Sequence, residues 1–486
     1  DYNPYSMPHQ IVRLFDENGN IYFRVSPVDW EPRLVGDEIT NPTPSFVGQS
    51  VNKILLYRNR LVMLSDQNII MSRPGDFFNF WGKTALTISP VDPIDLSTSS
   101  STPTSIYNGV EVNAGLLVFG EEEQFLVTTD NDVFTADTAK VLTTSRYGYN
   151  VATSPVSMGT TVGFVNNAGL HSRLFEITNI RREGDAEVLD QSKVIDNRLP
   201  NDIDVLAHSK TNNLILLGNR GNDIIYGYQY FNSGQKRIQS AWFKWDLTGD
   251  LVFYFINNDK LFLVLNNTQD NGDSLISLQQ IDLKYSTETA IQDSTEVLPL
   301  TVHLDNWKLI TSDVITYDPV TKTSSFRLPL GYFSSKEIIV WALEGNEYQG
   351  TIAYPTISSS IDSSSGMSQF TATLQGDYSS TRLLVGYQFK YSVSLPKLYV
   401  TQSQEENTRS DIRSSLNIHR LKLSFGPIGV YDVRIDRFGK GLTELKFERR
   451  EMDDYKANNP AIDTYDFDTI PIYDRNSNVD ITIESE

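Results

Sequence analysis

One pattern recurs along this chain and limits its fold more than any other: an apolar run, a polar turn, and a second apolar run. It occurs at Leu61–Ser72, Leu116–Thr128, Val162–Ile177, Leu214–Tyr230 and Leu261–Leu283, so successive starts lie 46 to 55 residues apart. Each run has the length and residue types of a strand, and each pair has the look of a β-hairpin. A spacing of roughly 45 to 55 residues suits four-stranded propeller blades, which bury their faces only by stacking on neighbours around an axis. The units share no WD or kelch signature, so the expected propeller is a degenerate one, with a β-sandwich as the fallback.

The first unit is the most telling. Arg58 to Trp81 reads RNRLVMLSDQNIIMSRPGDFFNFW. Ser65, Asp66 and Gln67 supply turn chemistry between Leu61–Leu64 and Asn68–Ser72. Arg73-Pro74-Gly75-Asp76 must leave the ladder, because proline donates no hydrogen bond. Phe77, Phe78, Phe80 and Trp81 then offer a large apolar surface for anchoring. Such a cluster plugs a core or a subunit interface; stacking against sugar rings is the competing reading.

Upstream stands Gly36-Asp37-Glu38-Ile39-Thr40-Asn41-Pro42-Thr43-Pro44-Ser45-Phe46-Val47-Gly48, and downstream Asp92-Pro93-Ile94-Asp95. Taken in order, these three blocks resemble the signature of the nozzle proteins, or tail tubular proteins B, of short-tailed T7-like bacteriophages. The residues that carry the resemblance are Asn59, Arg60, Leu61, Ser65, Asp66, Asn68, Met71, Ser72, Arg73, Gly75, Asp76, Phe77, Phe78, Asn79, Phe80, Asp92, Pro93 and Asp95. Val62-Met63 and Pro74 depart from it, standing where Gly-Phe and a small residue are expected. Beyond Val141 the likeness thins to strand pattern and pieces such as Val385-Gly386-Tyr387-Gln388-Phe389.

Composition sets further bounds. At 486 residues the chain exceeds what one core usually serves. Aromatic content of 11% against 21% charged residues argues for packed β-structure rather than disorder. With no cysteine, disulfides, thiolate metal sites and cysteine nucleophiles are all excluded. No apolar run is long enough to span a membrane as a helix. The 41 Lys and Arg against 61 Asp and Glu leave a formal charge of −20, which opposes stable nucleic-acid binding. The charge is uneven: Thr408–Arg450 is basic, whereas Glu451–Glu486 is acidic. Both segments read either as solvated surface or as complementary subunit faces and an acidic channel wall.

Three regions are expected: a connecting segment over 1–45, a propeller-like domain over 46–295, and a β-rich region with sandwich-like modules over 296–486. Ser97–Ser105 and Arg181–Asp190 read as surface connections. In the last region Ser358–Ser368 reads as a flexible serine-rich insertion, and Arg413–Gly426 with Gly429–Ile435 as a hairpin around Gly426-Pro427. The best helix candidate, Thr401–Ile412, is a weak one.

Catalytic patterns are scarce. His9, His171, His208, His303 and His419 are scattered without zinc-ligand spacing, and no GxSxG elbow or glycine-rich phosphate loop occurs. Asp92 with Asp95, Asp202 with Asp204 and Asp453 with Asp454 are the obvious carboxylate pairs for glycan hydrolysis. In Asp92-Pro93-Ile94-Asp95 the spacing suits turn capping, with calcium ligation and catalysis as alternatives. Neither a cofactor nor a metal is expected.

The resemblance implies a non-enzymatic virion protein: a homohexameric tail nozzle that docks the adaptor ring and tail fibres, passes DNA and internal virion proteins, gates genome release and contacts the host envelope. It also implies several hundred residues before Asp1 and a closing segment after Glu486. A receptor-binding or glycan-degrading tail component is the rival class.

Overall fold

The computed structural model describes residues 2–3, 5–100, 103–131, 133–181, 186–195, 197–233, 236–268, 272, 274–284, 304–333, 335–344, 350–361, 368–404, 407–411, 413–424, 429–447 and 467–485. The fold is all-β; among the described residues the only helical elements are three short 3-10 turns. No described helix is long and apolar enough to cross a membrane. The chain divides into two compact units, Asp1–Leu265 with Gln280–Lys284, and Asn266–Gln279 with Tyr285–Glu486.

The chain starts with a separate two-stranded hairpin, β1 (His9–Phe15) and β2 (Ile21–Pro27). Antiparallel meanders follow, each strand pairing with the next in sequence. The first holds β3 (Val51–Tyr57), β4 (Arg60–Ser65), β5 (Asn68–Met71) and β6 (Ile94–Ser97). The second holds β7 (Ile106–Val112), β8 (Gly115–Gly120), β9 (Gln124–Thr129) and β10 (Ala139–Ser145). The third holds β11 (Val156–Ser157), β12 (Val162–Ala168), β13 (His171–Thr178) and β14 (Glu187–Asp190). The fourth holds β15 (Val205–Ser209), β16 (Leu214–Gly218), β17 (Ile224–Ser233) and β18 (Lys236–Asp246). A three-stranded sheet closes the series: β19 (Asp250–Asn257), β20 (Lys260–Thr268) and β21 (Ser274–Asp282). The recurring hairpins of the sequence are β4–β5, β8–β9, β12–β13, β16–β17 and β20–β21.

Strand alternation makes these sheets stack face to face in chain order. On β8, Leu116 and Val118 share a buried cluster with Val62, Leu64 and Met71 of the first meander. Leu117 and Phe119, pointing the other way, share one with Phe164 and Ile177 of the third. On β16, Ile215 and Leu217 join Val165 and Leu174, while Leu214 and Leu216 join Leu251, Leu261 and Leu263 of the three-stranded sheet. A central strand buried on both faces therefore reads as a continuous apolar run, as β8 and β16 do. Each fully buried aliphatic or aromatic side chain contributes roughly 1.5–3 kcal/mol relative to exposure. The arrangement is propeller-like and is not closed on itself. Gly227 lies opposite Phe243 across β17–β18, where any Cβ would collide with the ring; the missing side chain lets the aromatic lie flat on the strand.

The second unit contains two sandwiches. In one, the sheet of β22 (Asp305–Ile310), β29 (Arg382–Tyr387), β25 (Ile338–Glu344) and β26 (Ile352–Ala353) faces a second sheet. That second sheet holds β23 (Thr316–Asp318), β24 (Thr323–Arg327), β28 (Ser368–Gln375) and β27 (Thr356–Ile361). Their inner faces meet in a core that includes Val340, Leu383 and Val385 from one sheet and Phe326, Ala372 and Leu374 from the other. In the other sandwich, β30 (Tyr391–Ser394), β37 (Val479–Ser485), β34 (Tyr431–Arg437) and β35 (Gly441–Phe447) form one sheet. It packs on β33 (Asn417–Ser424) and β36 (Phe467–Arg475) through Val433, Ile435, Ile470 and Ile472.

Several expectations need correction. Glu187–Asp190 is no surface connection: it is β14, the outer strand of its meander, paired with Phe175–Thr178. In place of the helix expected over Thr401–Ile412, β31 (Val400–Gln404) and β32 (Asn407–Asp411) pair antiparallel, with 405, 406 and 412 outside the described residues. The opening of the serine tract, Ser358–Ile361, belongs to edge strand β27, and 362–367 lie outside the described residues. Strands β33 and β34 do not form a hairpin with each other. The first pairs with β36 and the second with β35 and β37, so the two strands belong to different sheets, and Gly426-Pro427 lie outside the described residues.

Candidate functional site

The three signature blocks, far apart along the chain, converge on the first meander. The β3–β4 connection is a two-residue turn, Arg58-Asn59, with φ of 45° and 59°; a tight hairpin that twists with its strands needs both residues left-handed. The Asn59 carbonyl accepts the Gly75 N–H at 2.8 Å, tying this turn to the break after β5, where Gly75 itself has φ 76°. The β4–β5 turn pivots on Asp66, φ 48°, whose carboxylate accepts the Ser105 hydroxyl.

Arg60 is buried and satisfied by carbonyls. Its Nη1 donates to Ser72 O and Asp92 O, both at 2.7 Å, and its Nη2 to Pro90 O at 3.3 Å. Burial lowers the pKa of this guanidinium from its ordinary value, and the nearby Asp92 carboxylate partly offsets the effect. Asp92 is also buried, and its two oxygens accept the backbone N–H of Lys83 at 2.8 Å and of Ser89 at 2.7 Å. Asp95, on β6, accepts the Ser45 N–H and hydroxyl at 2.9 and 2.8 Å, joining the first block to the third. Asn41 joins the first block to the second: its Oδ1 accepts Gly82 N–H at 3.0 Å and its Nδ2 donates to Val35 O at 2.9 Å.

Smaller bonds complete the frame. Ser72 Oγ accepts Leu61 N–H, Ser65 Oγ donates to Ser50 O, and Asn68 Oδ1 accepts the Ser97 hydroxyl. Arg73 N–H donates to Asn79 O, while Asn79 Nδ2 donates to Asp76 and Asn79 Oδ1 accepts Trp81 N–H. Phe80 and Trp81 are buried, Phe77 is half-buried and Phe78 exposed. Phe80 enters a cluster with Met7, Phe46, Met63 and Ile70, with Leu61 packed at its edge, that covers the outer face of the first meander. Phe46 meets Phe80 edge-on at 5.2 Å, and Tyr2 stacks on Trp81 at 5.4 Å. Met71 points the opposite way, into the contact with the second meander, and Pro93 is half-buried beside Asp92. The contributions of Tyr2, Met7 and Trp30 had no local signal, since isolated aromatics before a strand announce no partner.

This arrangement holds chain segments together, and its carboxylates are occupied by backbone and side-chain donors. The other carboxylate pairs are similarly engaged. Asp202 accepts the Asn219 amide, and Asp204 accepts Arg220 N–H at 2.9 Å. Asp453 and Asp454 lie outside the described residues. Among the described residues no three His, Asp or Glu side chains gather as metal ligands. His9 and His171 contact backbone carbonyls, His208 faces the Tyr230 hydroxyl, and His419 lies against Tyr473; His303 is outside the described residues.

The sequence did not mark one buried polar assembly. Glu176 on β13 accepts both Arg237 Nη2 contacts, at 2.7 and 2.9 Å, together with the Thr161 hydroxyl and the Gln191 amide. Arg237 also donates to Tyr228 and lies over the Tyr230 ring at 5.3 Å. It pins the third meander to the fourth.

Stacked meanders braced by a hydrogen-bonded, aromatic-plugged first sheet, followed by sandwiches, define a multi-sheet all-β protein. The chain belongs to the family described as bacteriophage nozzle protein, whose model matches residues 1–486. Members of this family are tail components of the virion. The tail tubular protein gp12 of Escherichia phage T7 is 26% identical over 443 residues, 89% of this chain and 52% of gp12. The chain thus spans about half the length of that relative. Among solved structures, Kluyveromyces lactis Hsv2p is 8% identical with a TM-score of 0.30, covering 67% of this chain and 86% of that one. The Neurospora crassa Pan2 WD40 domain is 9% identical with a TM-score of 0.28, covering 71% and 91%. At such scores these structural likenesses carry no argument.

Proposed function

We propose that this chain is part of the wall of a sixfold nozzle at the distal end of a short phage tail. It docks the adaptor ring and tail fibres and passes DNA and internal virion proteins through an axial channel. Its role is mechanical and involves no catalysis. The observation that carries the reading is the convergence of three separated signature blocks into one braced sheet, in a chain matched along its whole length by the nozzle family. Face-to-face stacking suits a stiff wall, because each sheet is held by its neighbours and cannot slide without opening a core. A chain of formal charge −20 suits a conduit that must not grip phosphates. Closure before infection is steric, by loops of the C-terminal region. Mass measurement of the full-length protein mixed with its adaptor ring tests the reading: a sixfold complex is expected, whereas a lone monomer that cleaves host glycans would overturn it.

A further inference from the structure

The sandwich built on β33 to β37 treats charge differently on its two outer faces. On the sheet of β30, β37, β34 and β35 outward cations are paired: Arg434 Nε reaches Glu444 at 2.9 Å, Arg434 Nη1 reaches Glu484 at 3.2 Å, and Lys390 Nζ reaches the same carboxylate at 2.9 Å. On the sheet of β33 and β36 they are not. Arg420 and Lys422 project from β33 and Arg475 from β36, all three exposed and without a carboxylate partner among the described residues. The two acids of β36 lie on the side of the buried Ile470 and Ile472. There Asp474, its side chain 7% exposed, accepts Lys440 Nζ at 2.8 Å, and Asp468 accepts the Tyr431 hydroxyl. In a chain of formal charge −20, an outward face with three such cations and no acid is the exception.

The same face carries a backbone irregularity. Between Ile418 and Arg420 the register slips, so that Ile472 and Tyr473 stand unpaired on β36 against His419 alone on β33. Tyr473 takes φ 49°, a left-handed backbone that a bulky residue rarely adopts. Arg437 braces the bulge, donating from Nε and Nη2 to the Ile472 carbonyl at 3.1 and 3.0 Å. The Tyr473 ring is thereby turned outward among the cations, 70% exposed and edge-on to His419 at 6.0 Å. Bulges and strained backbones of this kind gather where a surface re-aims a side chain towards a ligand.

We propose that the outer face of β33 and β36 makes a weak contact with the phosphate backbone of DNA through Arg420, Lys422 and Arg475. Charge complementarity selects a polyanion, and the layout selects a linear one. At roughly 3.3 Å per residue the ribbon from Lys422 to Arg475 runs about 17 Å, or about five phosphate steps along one DNA strand. Recognition of a glycan calls for carboxylates and amides that pair with sugar hydroxyls; the outward positions of β33 and β36 hold no carboxylate and, in Asn417, one amide. Three cations neutralise about three phosphates, so the logarithm of affinity falls with that of salt at a slope of about −2.7. Such a contact is released as readily as it forms, while the acidic remainder of the chain keeps DNA from settling elsewhere. The proposal deepens the conduit reading above and rests on it for the choice of DNA as the polyanion.

Fluorescence anisotropy of a short labelled DNA duplex, titrated with the full-length protein from low salt upwards, tests the contact. Binding is expected to weaken about fortyfold for a fourfold rise in salt. In the double variant Arg420→Gln with Lys422→Gln one cation remains, and the same rise should weaken binding only about three- to fourfold. Arg434→Gln, on the paired face, should leave binding as it is. No binding at low salt would overturn the proposal, as would binding that the double variant leaves unchanged. Polygalacturonate bound through Arg420 and Lys422 in preference to the duplex would overturn it too, making an acidic glycan the occupant. Sixfold rings in imaging with no DNA bound would sink this contact alone, whereas the expected salt slope in a protein that forms no ring would sink the nozzle reading alone. All three substituted side chains are exposed, and far-UV circular dichroism verifies that the variants fold.

Discussion

The Arg237 guanidinium donates from Nη2 to both carboxylate oxygens of Glu176, 2.7 and 2.9 Å away, and so locks β18 of the fourth meander to β13 of the third. The carboxylate is 2% exposed and the guanidinium 23%. A buried ion pair gains little over a well-packed apolar one, but removing one partner strands the other charge in the interior. Here the stranded charge would sit between two sheets whose relative position matters for a wall.

Glu176→Gln is accordingly expected to lower stability by about 3–5 kcal/mol, measured by urea unfolding at neutral pH. Arg237→Gln should cost a similar amount, and the double variant should cost clearly less than the sum, because the two residues act as a unit. Losses below about 0.5 kcal/mol would place the pair among ordinary surface bridges.

The two signature aspartates should separate by role. Asp92 accepts two backbone N–H groups in a buried setting, so Asp92→Ala is expected to destabilise by about 2–4 kcal/mol. Asp95 is exposed, and Asp95→Ala should cost under about 1 kcal/mol. Thermal unfolding of the two variants distinguishes them; equal losses would contradict the bracing described for Asp92.

The aromatic plug gives a parallel contrast. Phe80→Ala opens a cavity beneath Phe46 and Met63 and is expected to cost about 3–5 kcal/mol. Phe78→Ala, at an exposed ring, should change stability by less than about 1 kcal/mol. If Phe78→Ala instead abolished assembly with stability intact, that ring would belong to a subunit contact.

Much of the first region was legible because the paired apolar runs of β4–β5, β8–β9, β12–β13 and β16–β17 are strongly apolar and bounded by polar turns. The outer strands were not. Ile94–Ser97 and Glu187–Asp190 are four residues each, too short for a periodic signal, and they pair only because a neighbouring strand offers its edge. Thr401–Ile412 shows why weak local propensity decides little: the segment pairs as a hairpin. Around Gly426-Pro427, proximity in sequence suggested a hairpin, yet β33 found its partner some fifty residues on, beyond reach of any local rule. For the site, the motif pointed to the three blocks, while Asp92 accepts the backbone N–H groups of Lys83 and Ser89 upstream of its own turn. That Asn41 reaches Gly82 and Ser45 reaches Asp95 required the fold.

Stability should depend on pH through His208. Burial, with a smaller contribution from Lys210, lowers its pKa from 6.5 to about 4, and its Nε2 lies 3.0 Å from the Tyr230 hydroxyl. The unfolded chain binds this proton first, so the contribution is fully present above pH 6.5 and is lost as pH falls towards 4. It amounts to at most about 3 kcal/mol, from 1.36 kcal/mol per pKa unit. In His208→Asn the part of the urea-midpoint slope between pH 6.5 and 4 due to this group should vanish. An unchanged slope would show that His208 protonates in the folded state as it does in the unfolded one.

The most direct test of the central claim is negative-stain imaging of the full-length protein mixed with its adaptor ring. Sixfold rings with an axial channel are the result this account expects. Persistent monomers or trimers with no channel would contradict it.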